Sequence, residues 1–233
     1  MGMVFGKTGV AEPAFTVLSS HRYSSMNFEV RSYSQRFAIE TTMTDSSGGF
    51  RTLAGFIGVG TNAKNADAMK ISMTAPVSMY NTNENVKCMS FMLPAEFDSL
   101  DSIPKPNDPA IRVTSIPPSI GAVTTFSGWT SMEKAVEKRD ELISSINGCG
   151  ATVPKSAEWE LWQYNPPFTI PMLRRNEVFV KLTTEQAESL ESKVIESSFG
   201  LVLEARNGYL STSRNIVVCW GGSGGGGWRR GCK

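Results

Sequence analysis

From Phe28 onward the apolar positions alternate between two periods. Along Phe28-Glu29-Val30-Arg31-Ser32-Tyr33 apolar and polar residues alternate, the mark of a strand with one buried face. Ala38–Met43 (AIETTM), rich in β-branched residues, predicts a second strand. The period then lengthens. Phe50, Leu53, Ala54 and Ile57 stand at i, i+3, i+4 and i+7, one face of a helix, with Ser46 and Ser47 available to cap its start and Gly58 and Gly60 to end it. Lys70–Tyr80 and Lys87–Leu93 predict two more strands, and the Asp- and Pro-rich stretch from Pro94 to Pro109 a surface loop.

The same order then returns. Ile111–Ile116 is a strand, Pro117-Pro118 a turn and Gly121–Phe126 a strand. A helix follows, with Thr130 and Glu133 at capping-box spacing, an apolar stripe of Met132, Ala135, Val136, Leu142, Ile143 and Ile146, and Gly148 at its end. Glu158–Tyr164 and Asn176–Leu182 complete the set. The chain thus reads β-β-α-β-β twice, a repeat of pattern without repeated sequence. Two such halves predict an α+β fold, either layered or a distorted antiparallel barrel with two flanking helices.

Residues 1–19 read as an N-terminal segment, 20–183 as the folded domain and 184–233 as a C-terminal extension. The extension opens with a helical pattern (Ala187, Leu190, Val194) whose Thr183 and Gln186 again have capping-box spacing. Leu201–Val218 has the makings of a hairpin around Asn207-Gly208, and the glycine-rich stretch from Gly221 reads as a disordered tail.

Composition narrows the function. Net charge is +1, and Arg174-Arg175 and Arg229-Arg230 are only doublets, so nucleic acid is not an expected partner. No apolar run approaches the ~20 residues of a membrane span, and the N-terminus lacks the apolar core of a secretory signal. Met1-Gly2 opens like a myristoylation site, but Gly6 stands where Ser or Thr is required. A cytoplasmic monomer is expected. Cys88, Cys149, Cys219 and Cys232 are scattered without metal-ligand spacing and read as reduced structural thiols.

Candidate chemistry is sparse. With one histidine, a catalytic triad or a multi-histidine metal site is not available, and His21, in a polar stretch, reads as exposed and idle. Phosphate-loop, nucleophile-elbow and dinucleotide fingerprints are missing. Glu158 and Glu160 share one face of a strand, read as the solvent face opposite Trp159 and Leu161. The chain is therefore not expected to be an enzyme. The unusual feature is methionine: Met69, Met73, Met79, Met89 and Met92 crowd two predicted strands, with Met26 and Met43 nearby. Such side chains suit a pocket for a flat aromatic ligand and serve equally as core filler.

Three blocks, in order, carry a resemblance. MKISMTAPV (Met69–Val77), YNPPFTIPMLRRNEVFVKL (Tyr164–Leu182) and the weaker FEVRSY (Phe28–Tyr33) resemble the core, closing and opening segments of the SOUL haem-binding protein family. The resemblance implies a distorted eight-stranded antiparallel β-barrel with two long helices, and non-covalent binding of haem or metal-free porphyrin for buffering or transport. It places the ligand in an apolar groove beside the first helix, lined by Phe50, Leu53, Ala54 and Ile57. Arg51 would reach a propionate, and Phe168 and Arg174 would complete the rim. Some family members carry a proposed axial histidine where this chain has Ser32, so binding largely without axial coordination is expected; Met73 or Met79 as iron ligands rank below core packing. The alternative is an interaction module in which the groove takes a partner segment or another small apolar ligand. In that case the 184–233 extension would gate the groove by packing on the first helix.

Overall fold

In a computed structural model, residues 6, 8–82, 84, 86–192 and 217–219 are described. In chain order the strands are β1 (Phe15–Tyr23), β2 (Met26–Tyr33), β3 (Arg36–Thr42), β4 (Val77–Asn81), β5 (Lys87–Met92), β6 (Ile111–Ile116), β7 (Ser119–Phe126), β8 (Trp159–Gln163), β9 (Asn176–Leu182) and β10 (Val217–Cys219). Helix α1 (Ser46–Ile57) lies between β3 and β4, α2 (Met132–Gly148) between β7 and β8, and residues 184–192 form α3. All belong to one sheet, ordered β10-β1-β2-β7-β9-β8-β4-β5-β3-β6; only the short β10 pairs parallel, with β1.

The doubled pattern is built into that order. Within each half the last three strands pair in the same way, β3-β5-β4 and β7-β9-β8, and the halves meet where β4 pairs with β8. The leading strands are exchanged: β2 pairs with β7 of the other half, and β6 with β3. Only Ser34-Gln35 joins β2 to β3, although the two lie toward opposite ends of the sheet, and Pro117-Pro118 likewise joins β6 to β7. Two residues span about 7 Å, so the sheet must curl enough to bring β2 near β3 and β6 near β7. Gln35 Nε2 donates to Ser115 Oγ (3.1 Å) and Arg36 Nη2 to Ser119 Oγ (3.4 Å) across that junction.

The α+β class agrees with the sequence, while the barrel differs in detail. Nine antiparallel strands replace the expected eight, and no ladder among the described residues closes β6 onto β1. The added strand is β1. Its register shifts between Val17 and Ser19, and this irregularity breaks the alternation that would have announced it. The expected strand Lys70–Tyr80 shrinks to Val77–Asn81. Side chains shape the preceding loop instead: Asn65 bonds the backbone of Phe56 and Met69, Thr74 Oγ1 donates to the Met92 carbonyl (2.5 Å), and the Ala75-Pro76 peptide is cis. Both helix caps fall one residue from the expected positions. Asp45 Oδ1 accepts from Gly48 N (2.8 Å) at α1, and Ser131 Oγ from Lys134 N (3.4 Å) at α2.

The curl defines two faces. Tyr33 on β2 meets Trp162 on β8 edge-on at 5.5 Å, although three strand spacings of about 4.8 Å separate them along the sheet. The face bearing these rings is therefore concave; Val123, Tyr164, Phe179 and Met92 fill it with them. Both helices lie on the convex face and share one core with Ile39, Met89, Phe91, Leu161 and Val178. Helix α1 packs over β3 and β5, and α2 over β9 and its neighbours, which leaves β4 and β8 as the floor between them.

Candidate functional site

On α1 the residues assigned to a ligand groove divide between two environments. Leu53 (0 % exposed), Ala54 and Ile57 are buried in the core shared with the sheet, as is Phe56. Outward stand Phe50 (39 % exposed), its ring 5.2 Å from that of Phe91, and Arg51, whose Nε donates to the Ser47 carbonyl. Phe168 (63 % exposed) and Arg174 belong to the turn before β9. There Arg174 bonds the carbonyls of Thr169 and Pro167 and lies 3.6 Å from the centre of the Trp129 ring. No hydrogen bond or ring contact among the described residues joins that turn to α1.

A cavity lies elsewhere, at the seam between the halves. The β4–β8 ladder has only three pairs and stops at Met79↔Leu161. Beyond it β4 follows β5 to Asn81↔Lys87, and β8 follows β9 back to Trp159↔Val180. The strands part, and a cleft of about 500 Å³ opens in the fork. Trp159, Val136 and Ala157 wall it on the helix side; Tyr80, Glu160 and Phe179 wall it toward the concave face. Arg139, Lys155 and Lys181 stand at the rim.

Charge in the fork is largely tied down. Glu160 Oε2 accepts from Ser78 Oγ (2.5 Å) and Trp162 Nε1 (2.7 Å), so this carboxylate belongs to the concave face and is not, as expected, solvent-facing. Lys181 pairs with exposed Glu158 at 2.6 Å. Arg139 pairs with Asp140 and lies 5.1 Å from the centre of the Trp159 ring. Burial first, and the nearby Glu40 second, raise the pKa of Tyr80, so this phenol stays protonated.

His21 also departs from expectation. It is 2 % exposed, stacked on Phe28 at 4.9 Å with Nε2 2.8 Å from Ser19 Oγ, and burial lowers its pKa to about 4. Its ring is thus almost wholly enclosed by protein. Met79 is buried and Met73 packs against the same core, so the methionines read as packing. Among the described residues no group of three or more His, Cys, Asp or Glu could hold a metal ion, and no helix is long and apolar enough to cross a membrane. The single histidine is therefore not presented at an exposed surface as an axial ligand for a planar group.

The chain is thus a curled α+β sheet with two helices on one face and a cleft at the seam between its halves. The comparison with known families is specific: the SOUL family, described as SOUL heme-binding protein, matches residues 10–181, and the chain belongs to it. No curated protein matches the chain. Among solved structures it is similar to the EcmrR C-terminal domain, at 11 % identity and TM-score 0.48, covering 69 % of this chain and 99 % of that one. It is also similar to SAV2435 bound to tetraphenylphosphonium, at 14 % identity and TM-score 0.36, covering 69 % and 96 %. Such likenesses carry no argument about function.

Proposed function

We propose that this chain binds a tetrapyrrole non-covalently, as haem or metal-free porphyrin, for buffering or transport and largely without axial coordination. The observation that carries the reading is membership of the SOUL heme-binding family over residues 10–181. The buried state of the single histidine supports the lack of coordination. On α1 the contacts are Phe50, for a porphyrin face, and Arg51, for a propionate by a charge-assisted hydrogen bond. Leu53, Ala54 and Ile57 act from beneath by fixing the helix. Phe168 and Arg174, in the turn before β9, complete the rim of the ligand site.

Titration of the protein with haem and with iron-free protoporphyrin tests the reading. A Soret shift and tryptophan quenching at micromolar ligand, of similar affinity for both, are expected. No spectral change with either ligand would reject the proposal, and binding of haem alone would restore axial ligation.

A further inference from the structure

The three most exposed large apolar side chains among the described residues gather in one place. Met172 (81 % exposed) and Phe168 stand on the turn before β9, and Trp129 (62 %) on the loop before α2. Gly128 N donates to the Pro171 carbonyl (2.9 Å) and Asn176 Nδ2 to that of Gly128 (3.1 Å), which ties turn and loop together. Exposed Ile170 and Leu173 complete the patch. A concentration of this kind marks contact with a protein or a membrane. We propose that the patch docks this chain onto the surface of an anionic lipid bilayer, seated in the headgroup region without crossing it.

Two observations favour lipid over a peptide or a second copy of the chain. The first is the backbone, whose polar groups must be satisfied within the protein where they enter a bilayer. Pro166, Pro167 and Pro171 carry no N–H. The carbonyls of Pro166 and Ile170 accept from Thr169 N and Leu173 N, and that of Pro171 from Gly128 N and Arg174 N. The Arg174 guanidinium takes those of Pro167 and Thr169. A peptide adding to this main chain would find its acceptors occupied. The second observation is charge. Neither 126–132 nor 166–175 contains an acidic residue. Arg174, over the Trp129 ring, and Lys134, whose Nζ donates to the Trp129 carbonyl (3.3 Å), have no ion-pair partner among the described residues. Of the acids in the adjoining segments, Glu12 pairs with Arg175 at 2.8 Å and Glu133 is bonded to Ser131. Cations beside an exposed tryptophan suit the negative surface of a leaflet and repel the same patch on a second copy.

Sedimentation with vesicles of phosphatidylcholine, alone and equimolar with phosphatidylserine, tests the docking. Met172→Asp puts a charge in the apolar patch, and Lys134→Glu reverses an exposed cation beside it; both leave Phe168 and Arg174 in place, and melting temperature is the control for folding. Wild type is expected to bind the mixed vesicles, more weakly in high salt, and each variant to bind them about tenfold less well. Wild type that sediments with neither vesicle, or variants that bind the mixed vesicles as wild type does, would overturn the proposal. So would a wild-type dimer that Met172→Asp dissolves while no vesicle is bound, which would assign the patch to a second copy. Haem titration is a separate measurement, so failure of the docking leaves the tetrapyrrole reading standing.

Discussion

Glu177 is fully buried, and four side chains converge on it. Arg31 Nη1 and the Tyr164 hydroxyl donate to Oε2 at 3.1 and 2.7 Å; Thr125 Oγ1 and Arg175 Nε donate to Oε1, each at 3.1 Å. Burial acts against the charge of Arg31, but its hydrogen bond to Tyr33 and the field of Glu177 outweigh it and raise its pKa. Removing one partner of such a network strands the rest without water, so Glu177→Ala is expected to destabilise the fold by about 3–5 kcal/mol, measured by urea unfolding. The network explains why FEVRSY and YNPPFTIPMLRRNEVFVKL mark a family: Arg31, Tyr164, Arg175 and Glu177 are the residues that meet. These four residues hold the fold together and none of them lines the cleft, although Phe179 and Lys181 of the closing motif do. His21 supplies a pH signature. Its folded-state pKa of about 4 lies below the ordinary 6.5, so between those values the unfolded chain takes up a proton that the folded chain does not. Stability is then full above about pH 6.5 and falls as the pH drops toward 4. Melting temperatures at pH 7 and pH 4.5 should differ less in His21→Gln than in wild type; an equal loss in both would clear His21 of this role.

Helix α1 shows how far periodicity carries at the scale of an element. The stripe of Phe50, Leu53, Ala54 and Ile57 identified a helix and one of its faces, but the same pattern describes a face toward a ligand and a face toward a core. The structure buries three of the four. Leu53→Ala is accordingly expected to cost about 2–5 kcal/mol, and Phe50→Ala markedly less, with thermal unfolding as the measure; equal costs would mean that Phe50 is as enclosed as Leu53. Strand β7 makes the complementary point. A Cβ on Gly121 would lie 2.1 Å from the ring of Phe179, which covers it. Gly121→Ala is expected to cost about 1–3 kcal/mol by overpacking and to alter the near-ultraviolet spectrum of the Phe179–Trp162 stack. Nothing local in SIGAVTTF signals that contact, because the ring comes from β9. The fork was hidden for a similar reason. VSMYN and WELWQ each read as an unbroken strand, and each is one; what stops is the pairing between them, a property of the curl and not of either segment.

For the whole molecule, the remaining question is what the chain beyond residue 183 does. The capping box foreseen at its start forms, with Thr183 N donating to Gln186 Oε1 at 2.9 Å and Gln186 N to Thr183 Oγ1 at 3.3 Å. Ala187 and Leu190 enter the main core, while Val194 and the hairpin expected around Asn207-Gly208 lie outside the described residues. Helix α3 docks on the loop after α2: Gln186 Nε2 donates to the Thr152 carbonyl (2.7 Å) and Ser189 Oγ to that of Gly150 (3.1 Å). The sequence foretold the helix and its apolar stripe but not the surface it meets, since one stripe serves either helix. The site of docking decides between two roles. A segment lying over α1 would compete with a ligand there, and its removal would tighten binding; a segment buttressing the end of α2 stabilises the fold and leaves Phe50 and Arg51 uncovered. Truncation after Thr183 is therefore expected to lower the melting temperature, through exposure of the core that Ala187 and Leu190 cover, and to bring no gain in haem affinity at a temperature where both forms are folded. Tighter binding by the truncated protein would instead show that the extension reaches the α1 surface and regulates it.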